Sequence, residues 1–430
     1  MTTTINNEHK KLNAPNKREQ NQTCLDSAER EGLRPKGNVP NLRFPEFHGE
    51  WEKCRLGIIA NVTGGYAFKS DTLNSIGGKY QVVKMGNLYQ NQLDLHRSPS
   101  YTNILTSKAE NVILRKGDIA ITLTGTNNKR DFGYTYIFND EKNLLLNQRC
   151  GLIRTKGDPY FLSCLLKTYA FLNQFFESAT GGTGNQANVS TKAMEMFSVN
   201  TPSLKEQKKI GVLMALLDER IATQNKIIED LKKLKSAIIE IEYTPNTKTT
   251  SHIGNVIEQI SKRNKNNAIQ NVLSVSNRQG FIKQSDQFEN RNVASEDTSN
   301  YKIVEKNDFA FNPARINVGS IARLTTFENG IVSPMYICFR TQVNVAPEYI
   351  DFFFESKHFY CEIQKRLEGS VRQCLSFEGL CNIPFSLPSL EMQQRIGKRL
   401  FTLGQKIKTE TDLLELLNKQ KQYLLRQMFI

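Results

Sequence analysis

Residues Pro202–Tyr243 read PSLKEQKKIGVLMALLDERIATQNKIIEDLKKLKSAIIEIEY, and the stretch returns as Pro388–Phe429, PSLEMQQRIGKRLFTLGQKIKTETDLLELLNKQKQYLLRQMF. The offset is 186 residues throughout, with no gap. Pro202, Ser203, Leu204, Gln207, Ile210 and Gly211 fall on Pro388, Ser389, Leu390, Gln393, Ile396 and Gly397. Further on, Leu217, Ile221, Thr223, Glu229, Leu231, Lys233 and Lys235 fall on Leu403, Ile407, Thr409, Glu415, Leu417, Lys419 and Lys421. A shared period this long means one structural unit used twice.

Both copies read as long helices. Ser203 and Ser389 stand where an N-cap hydroxyl is wanted, and neither copy has an internal proline. Ile210, Met214, Leu217, Ile221, Ile228, Leu231, Leu234, Ile238 and Ile241 fall on three- and four-residue steps, with Gln224 as a polar break. In the second copy Ile396, Leu400, Leu403, Ile407, Leu414, Leu417, Leu424 and Met428 do the same, and Glu410 and Lys421 interrupt. A narrow apolar stripe with charged flanks is a coiled-coil seam. Each helix alone would expose its stripe, so the economical arrangement packs the two on each other. Two separate amphipathic helices in ordinary cores are the alternative. Forty-odd residues make a rod of roughly 60 Å, about twice the ~34 Å repeat of B-DNA.

The remaining chain carries the rest of 430 residues, enough for two or three domains. Apolar residues make up 39% and there are 24 Phe, sufficient for real cores. A net charge of +14 favours a polyanionic partner. No polybasic block concentrates it, so a solvated basic surface explains the charge equally well. Eight cysteines, at 24, 54, 150, 164, 338, 361, 374 and 381, form no CxxC and pair with none of the five histidines at zinc-ligand spacing. No metal site is expected. Nor is there an apolar leader or a long apolar run, which predicts a soluble intracellular protein with reduced thiols.

Residues 1–37 are polar and poor in large apolar side chains, and read as a disordered extension. Residues 38–200 open with a proline-broken aromatic lead-in, NVPNLRFPEFHGEW, and then alternate short apolar runs with turn signals. That is an α+β domain of mixed short strands and helices. The first long helix takes 201–246. Residues 247–386 repeat the domain plan loosely, and the second helix takes 387–430. Leu114–Ala120 (LRKGDIA) resembles Val304–Ala310 (VEKNDFA), and Ser190 and Ser376 sit at the same 186 offset. The helices repeat closely and the globular parts only in outline. One job is done twice, and related jobs are done on different targets.

Motifs of catalysis are missing. Gly64–Ser70 (GGYAFKS) lacks the glycine before lysine that lets a loop wrap phosphates. Gly181–Asn185 (GGTGN) has no strand–turn–helix frame for a dinucleotide. Asn312–Arg315 (NPAR) lacks the second proline and the aromatic of an amino-methylating motif. What remains are amide- and cation-bearing loops between strands. In the first domain these offer Lys84, Asn87, Thr124, Thr126, Asn127, Asn128, Lys129, Arg130, Asn185 and Gln186. In the second they offer Asn277, Arg278, Gln279, Asn312, Arg315, Asn317, Arg372 and Gln373. Arg and Lys read guanine edges, and Asn and Gln read adenine edges. Loops also collect such residues because they face water.

Taken together, the Val39–Pro45 entry (VPNLRFP), Lys116-Gly117-Asp118-Ile119 with Lys306-Asn307-Asp308-Phe309, and the paired Pro-Ser-Leu-x-x-Gln helices resemble the specificity subunit of type I DNA restriction–modification systems. Asn307 stands where that family carries glycine. The resemblance implies two target-recognition domains, each reading one half of a split DNA sequence. It implies two helices packed antiparallel as a spacer, in a pseudo-twofold repeat. It also implies a chain that is not itself an enzyme. Two methylating subunits would carry S-adenosylmethionine and modify adenine at N6. Two motor–nuclease subunits would use ATP and Mg. The competing reading from residues alone is a coiled-coil scaffold whose globular ends bind proteins.

Overall fold

The structure, a computed structural model, describes residues 37–181, 185–244, 251–277, 279–287, 297–369 and 373–430. The polar extension expected over 1–37 therefore lies outside the described residues except at Gly37. The chain forms two compact units, one ending at Ala222 and taking back Glu415–Ile430, the other being Thr223–Leu414. The division falls inside the long helices, so each unit holds one domain, the start of one helix and the end of the other.

Strands of alternating bulk decide the core of each domain. In the first, Ile119–Thr122 sends Ile119 and Ile121 to one face and Ala120 to the other. In the second, Phe309–Phe311 sends Phe309 and Phe311 to one face and Ala310 to the other. Each strand lies inside a four-stranded antiparallel sheet buried on both faces. The first sheet runs Ala60–Gly64, Cys150–Thr155, Ile119–Thr122, Thr135–Ile137. The second runs Ile257–Ile260, Ile337–Thr341, Phe309–Phe311, Ile321–Arg323, in the same order. A second sheet packs on the small-residue face. There Leu144–Leu146 lies parallel to Tyr80–Val83, as Asn329–Val332 lies parallel to Val272–Ser276. Cys150 stands opposite Thr122 in the first central sheet, and Cys338 opposite Ala310 in the second. Burial pushes each thiol up to about 12.

The Lys-x-Asp turn shows why its residues recur. Asp118 Oδ2 accepts the Arg115 N–H at 3.0 Å and pairs with Arg154 at 2.9 Å. Asp308 Oδ2 accepts the Glu305 N–H at 2.8 Å and pairs with Arg340 at 3.0 Å. Burial raises the Asp308 carboxyl, while the backbone donor and Arg340 pull it back. Gly117 is left-handed at φ +85°, and Asn307 adopts φ +72° in the same turn. Asparagine tolerates that region better than other residues with a side chain, so the replacement preserves the geometry. The Asn307 Oδ1 also accepts from Arg323 at 3.0 Å.

The long helices are Leu204–Glu242, 39 residues, and Leu390–Gln427, 38 residues. The repeated Gln fastens each start to its own domain. Gln207 Oε1 accepts the Asp158 N–H at 3.2 Å, and Gln393 Oε1 accepts the Ala346 N–H at 2.9 Å. Ser203 and Ser389 cap as the sequence suggests, each accepting at 3.4 Å from the residue three positions on. The glycine after the seam isoleucine gives room for this approach. A Cβ on Gly211 would stand 2.0 Å from Asp158, and one on Gly397 2.8 Å from Glu348. Helix ends dock on equivalent aromatics: Phe429 stacks on Phe161 in the first unit, and Tyr243 packs on Tyr349 in the second.

Within each unit the helix segments run antiparallel. In the first, Ile210 and Met214 share a core with Met428 and Phe429, and Lys421 pairs with Asp218. In the second, Gln224 donates to the Glu410 carbonyl at 3.0 Å and to its carboxylate, and Arg399 reaches Glu242 at 3.5 Å. The polar breaks of the seam thus meet one another. Ile210, Leu217, Ile228, Ile396 and Leu417 are buried; Ile221, Leu231, Ile238, Leu403, Ile407, Leu414 and Leu424 are half-buried. Leu234 and Ile241 do not belong to the seam, being 51% and 75% exposed. Continuing the three-four alternation from Leu231 lands on Lys235, whose ammonium pairs with Glu355 and lies over Phe352. Ile239, at 3% exposed, supplies the apolar contact instead.

Candidate nucleic-acid interface

Beyond Thr122 the first domain's central strand leaves its sheet. Thr124–Thr126 pairs instead with Gln186–Asn188, which pairs in turn with Thr180–Gly181. Alternation buries Ala187 and turns Gln186 and Asn188 outward. Thr124 Oγ1 donates to Asn188 Oδ1 at 3.0 Å. The Thr126 N–H donates to Asp131 Oδ1 at 2.6 Å, closing the turn that carries residues 127–130. The Asn127 N–H donates to the Asn185 carbonyl at 3.0 Å. Asn127, Asn128, Lys129 and Arg130 are exposed on this turn, and the Arg130 guanidinium lies 5.2 Å from the Phe176 ring.

These pairings bound a cleft of about 280 Å³ lined by Met85, Thr124, Gly125, Thr126, Asp131, Arg149, Asn185 and Gln186. Thr124, Thr126, Asn185 and Gln186, chosen from two loops 60 residues apart in sequence, are thus one site. Sequence reasoning missed Met85, Asp131 and Arg149. Arg149 carried a usable signal, since it ends the polar run Asn147-Gln148-Arg149 between two apolar strands.

Asn87 is a correction. It is 2% exposed, its carbonyl oxygen accepts the Lys84 N–H, and its amide donates to Asp94 O at 2.9 Å and Arg97 O at 2.7 Å. With its hydrogen bonds spent internally, it shapes a turn and reads nothing. Lys84 is half-buried and donates to Ser100 Oγ at 2.7 Å.

In the second domain three loops converge. The hairpin between Val272–Ser276 and Gly280–Lys283 exposes Asn277 and Gln279. The turn Ile316–Val318 follows exposed Arg315 and holds half-buried Asn317. Its Gly319 lies against Asn277, and Ser320 Oγ donates to Val275 O at 3.2 Å. The third loop ends in exposed Gln373, and the Leu375 N–H reaches Pro313 O at 3.1 Å. The first domain makes the same bond, from the Val189 N–H to Leu123 O at 3.0 Å. Arg278 and Arg372 lie outside the described residues. Asn312 is corrected: it is buried, and its carbonyl oxygen accepts the Ala314 N–H, so it holds the turn. Among the described residues no group of three or more His, Cys, Asp or Glu is placed to hold a metal ion.

Comparison with known proteins agrees with this duplication. A family model described as the type I restriction modification DNA specificity domain matches twice, over residues 48–233 and 245–419. The specificity subunit of the Escherichia coli type I restriction enzyme EcoAI is 29% identical over 194 residues, 44% of this chain and 32% of that one. The MjaVIII specificity subunit of Methanocaldococcus jannaschii is 23% identical over 424 residues, covering 89% of this chain and 92% of the relative. In fold, the type I restriction–modification S subunit from M. genitalium superimposes with a TM-score of 0.60 at 16% identity, covering 91% of this chain and 99% of its own. With the family model matched over both halves, and the central sheet and the long helix built twice, the chain belongs to the type I restriction–modification DNA specificity family.

Proposed function

We propose that this chain is the sequence-reading subunit of a type I restriction–modification complex, each domain reading one half of a bipartite duplex target. One observation carries the reading. A single frame is built twice, and on it stand two loop clusters at equivalent places with different side chains. A duplicated frame with divergent loops suits two readers of unlike sequences. Side chains of Thr126, Asn185 and Gln186 offer base-edge contacts beside Thr124, which is buried and donates to Asn188, while the exposed Lys129 and Arg130 offer phosphate contacts.

The chain supplies no chemistry of its own. Two methylating subunits bring S-adenosylmethionine and modify adenine at N6, and two motor–nuclease subunits bring ATP and Mg. A second apolar stripe supports their docking: Leu216, Ile227, Leu234 and Ile241 on one helix, and Phe401, Leu416 and Tyr423 on the other, are exposed. Among the described residues no helix is long and apolar enough to cross a membrane, and the complex acts in the prokaryotic cytoplasm.

The test is methylation mapping in cells expressing the methylating partner with and without this chain. A split motif that appears only with the chain is expected. Replacing residues 247–386 with a relative's equivalent should change one half of it and leave the other. Methylation at the same sites regardless of the chain would refute the reading.

A further inference from the structure

One turn differs between the two readers more than its surroundings do. Asn147–Cys150 is closed by the Cys150 N–H on Asn147 O at 3.0 Å, and Ser333–Tyr336 by the Tyr336 N–H on Ser333 O at 3.0 Å. Each turn leaves a like strand of the second sheet, Leu144–Leu146 or Asn329–Val332, and enters a like strand of the central one. Its third residue is Arg149 in the first domain and Met335 in the second, and both are exposed, Met335 by 57%. The Val189–Leu123 and Leu375–Pro313 bonds fix the facing strand, setting Thr124 against Ala314 as the residue that follows.

Arg149 lines the cleft with Thr124, Thr126, Asn185 and Gln186. Asp131 lines it too, but gives its oxygens to the Thr126 N–H and hydroxyl. Among the described residues, no carboxylate pairs with the Arg149 guanidinium. A planar fork of donors in a concave site walled by hydroxyls and amides matches the O6/N7 edge of guanine. A phosphate clamp would be needed by both halves and would keep its charge in both. Met335 has none, but an exposed thioether chain suits the methyl of thymine.

Resting on the DNA-reading function above, we propose that Arg149 and Met335 hold the same base-reading position of the two domains, Arg149 taking guanine and Met335 taking the methyl edge of thymine. The test selects duplexes from a library randomised in both halves, at two salt concentrations, using the full chain assembled with its methylating partners. Arg149→Ala should lower preference for guanine at one position of the first half by about 5–150-fold, with the second half unchanged. Met335→Arg should create a guanine preference at one position of the second half only. An unchanged profile for Arg149→Ala overturns the proposal. So does a uniform loss over all sequences with a salt slope lower by about one, the mark of a phosphate contact. Failure of Met335→Arg to shift the second half refutes the shared position. If the unaltered chain selects no sequence in either half, the DNA-reading function fails and this proposal with it.

Discussion

Where the two domains agree, they place different residues on the same hydrogen bonds, and where they disagree, they place different chemistry on the same backbone. Gly117 and Asn307 turn the chain alike, and Arg154 and Arg340 hold the equivalent aspartates Asp118 and Asp308. At the loops Ala314 takes the place of Thr124, and Met335 the place of Arg149. The frame tolerates substitution only within one geometry. The loops are free of that limit because the strands below already fix their ends. A duplicated protein can therefore change what it reads without changing how it folds.

The strongest way to break the comparison is through the helices both units share. Leu217→Asp puts a charge in the buried stripe and should cost several kcal/mol, seen as lost assembly with the methylating subunits on gel filtration. Leu234→Asp lies on the exposed stripe. It should leave the melting temperature within a few degrees while still weakening that assembly. A Leu217→Asp complex of normal stoichiometry would mean the seam is misassigned.

Next come the aspartates of the frame. Asp118→Ala and Asp308→Ala each strand an arginine and a backbone N–H, at about 2–3 kcal/mol apiece. Urea unfolding should find the two costs within about 1 kcal/mol of one another. A large disparity would show that the repeat is not energetic. Smaller again is the turn itself. Gly117→Ala should cost about 1–2 kcal/mol for its left-handed backbone. Asn307→Gly should cost about 1 kcal/mol, for the bond to Arg323 and not for strain, and an Arg323→Lys background should absorb most of that loss.

Much of this was legible in the residues and some was not. The 186-residue offset announced both helices, and the likeness of LRKGDIA to VEKNDFA announced the repeated aspartate turn, because tight packing allows few substitutions at either. The seam slipped after Leu231, where sequence alone favoured Leu234 over Lys235. A lysine on the stripe makes sense only once Glu355 and Phe352 stand beside it. The cleft was half legible. Thr124 and Gln186 announce polar loops, but their strand pairing brings together residues 60 apart, and only that pairing admits Arg149 and Asp131. Asn87 and Asn312 were indistinguishable from readers by type; burial alone separates them.

The smallest predicted effect belongs to the rim. Lys129→Ala should weaken all duplexes alike and lower the salt slope by about one, while Asn128→Ala should relax only the first half-site. Binding to duplexes varied in one half at a time, at two salt concentrations, separates the two. Equal losses in both halves for every loop variant would make these loops backbone clamps.

Each central sheet also contains a clock. Cys150 and Cys338 are fully buried free thiols whose titration is pushed up to about 12, whereas Cys361 is exposed. An alkylating reagent at neutral pH can reach the first two only when their own sheet opens. Cys361 would react at once and mark the start. Mass-resolved labelling of Cys150 and Cys338 would then time the opening of each reader separately, in one sample and with no residue introduced for the purpose.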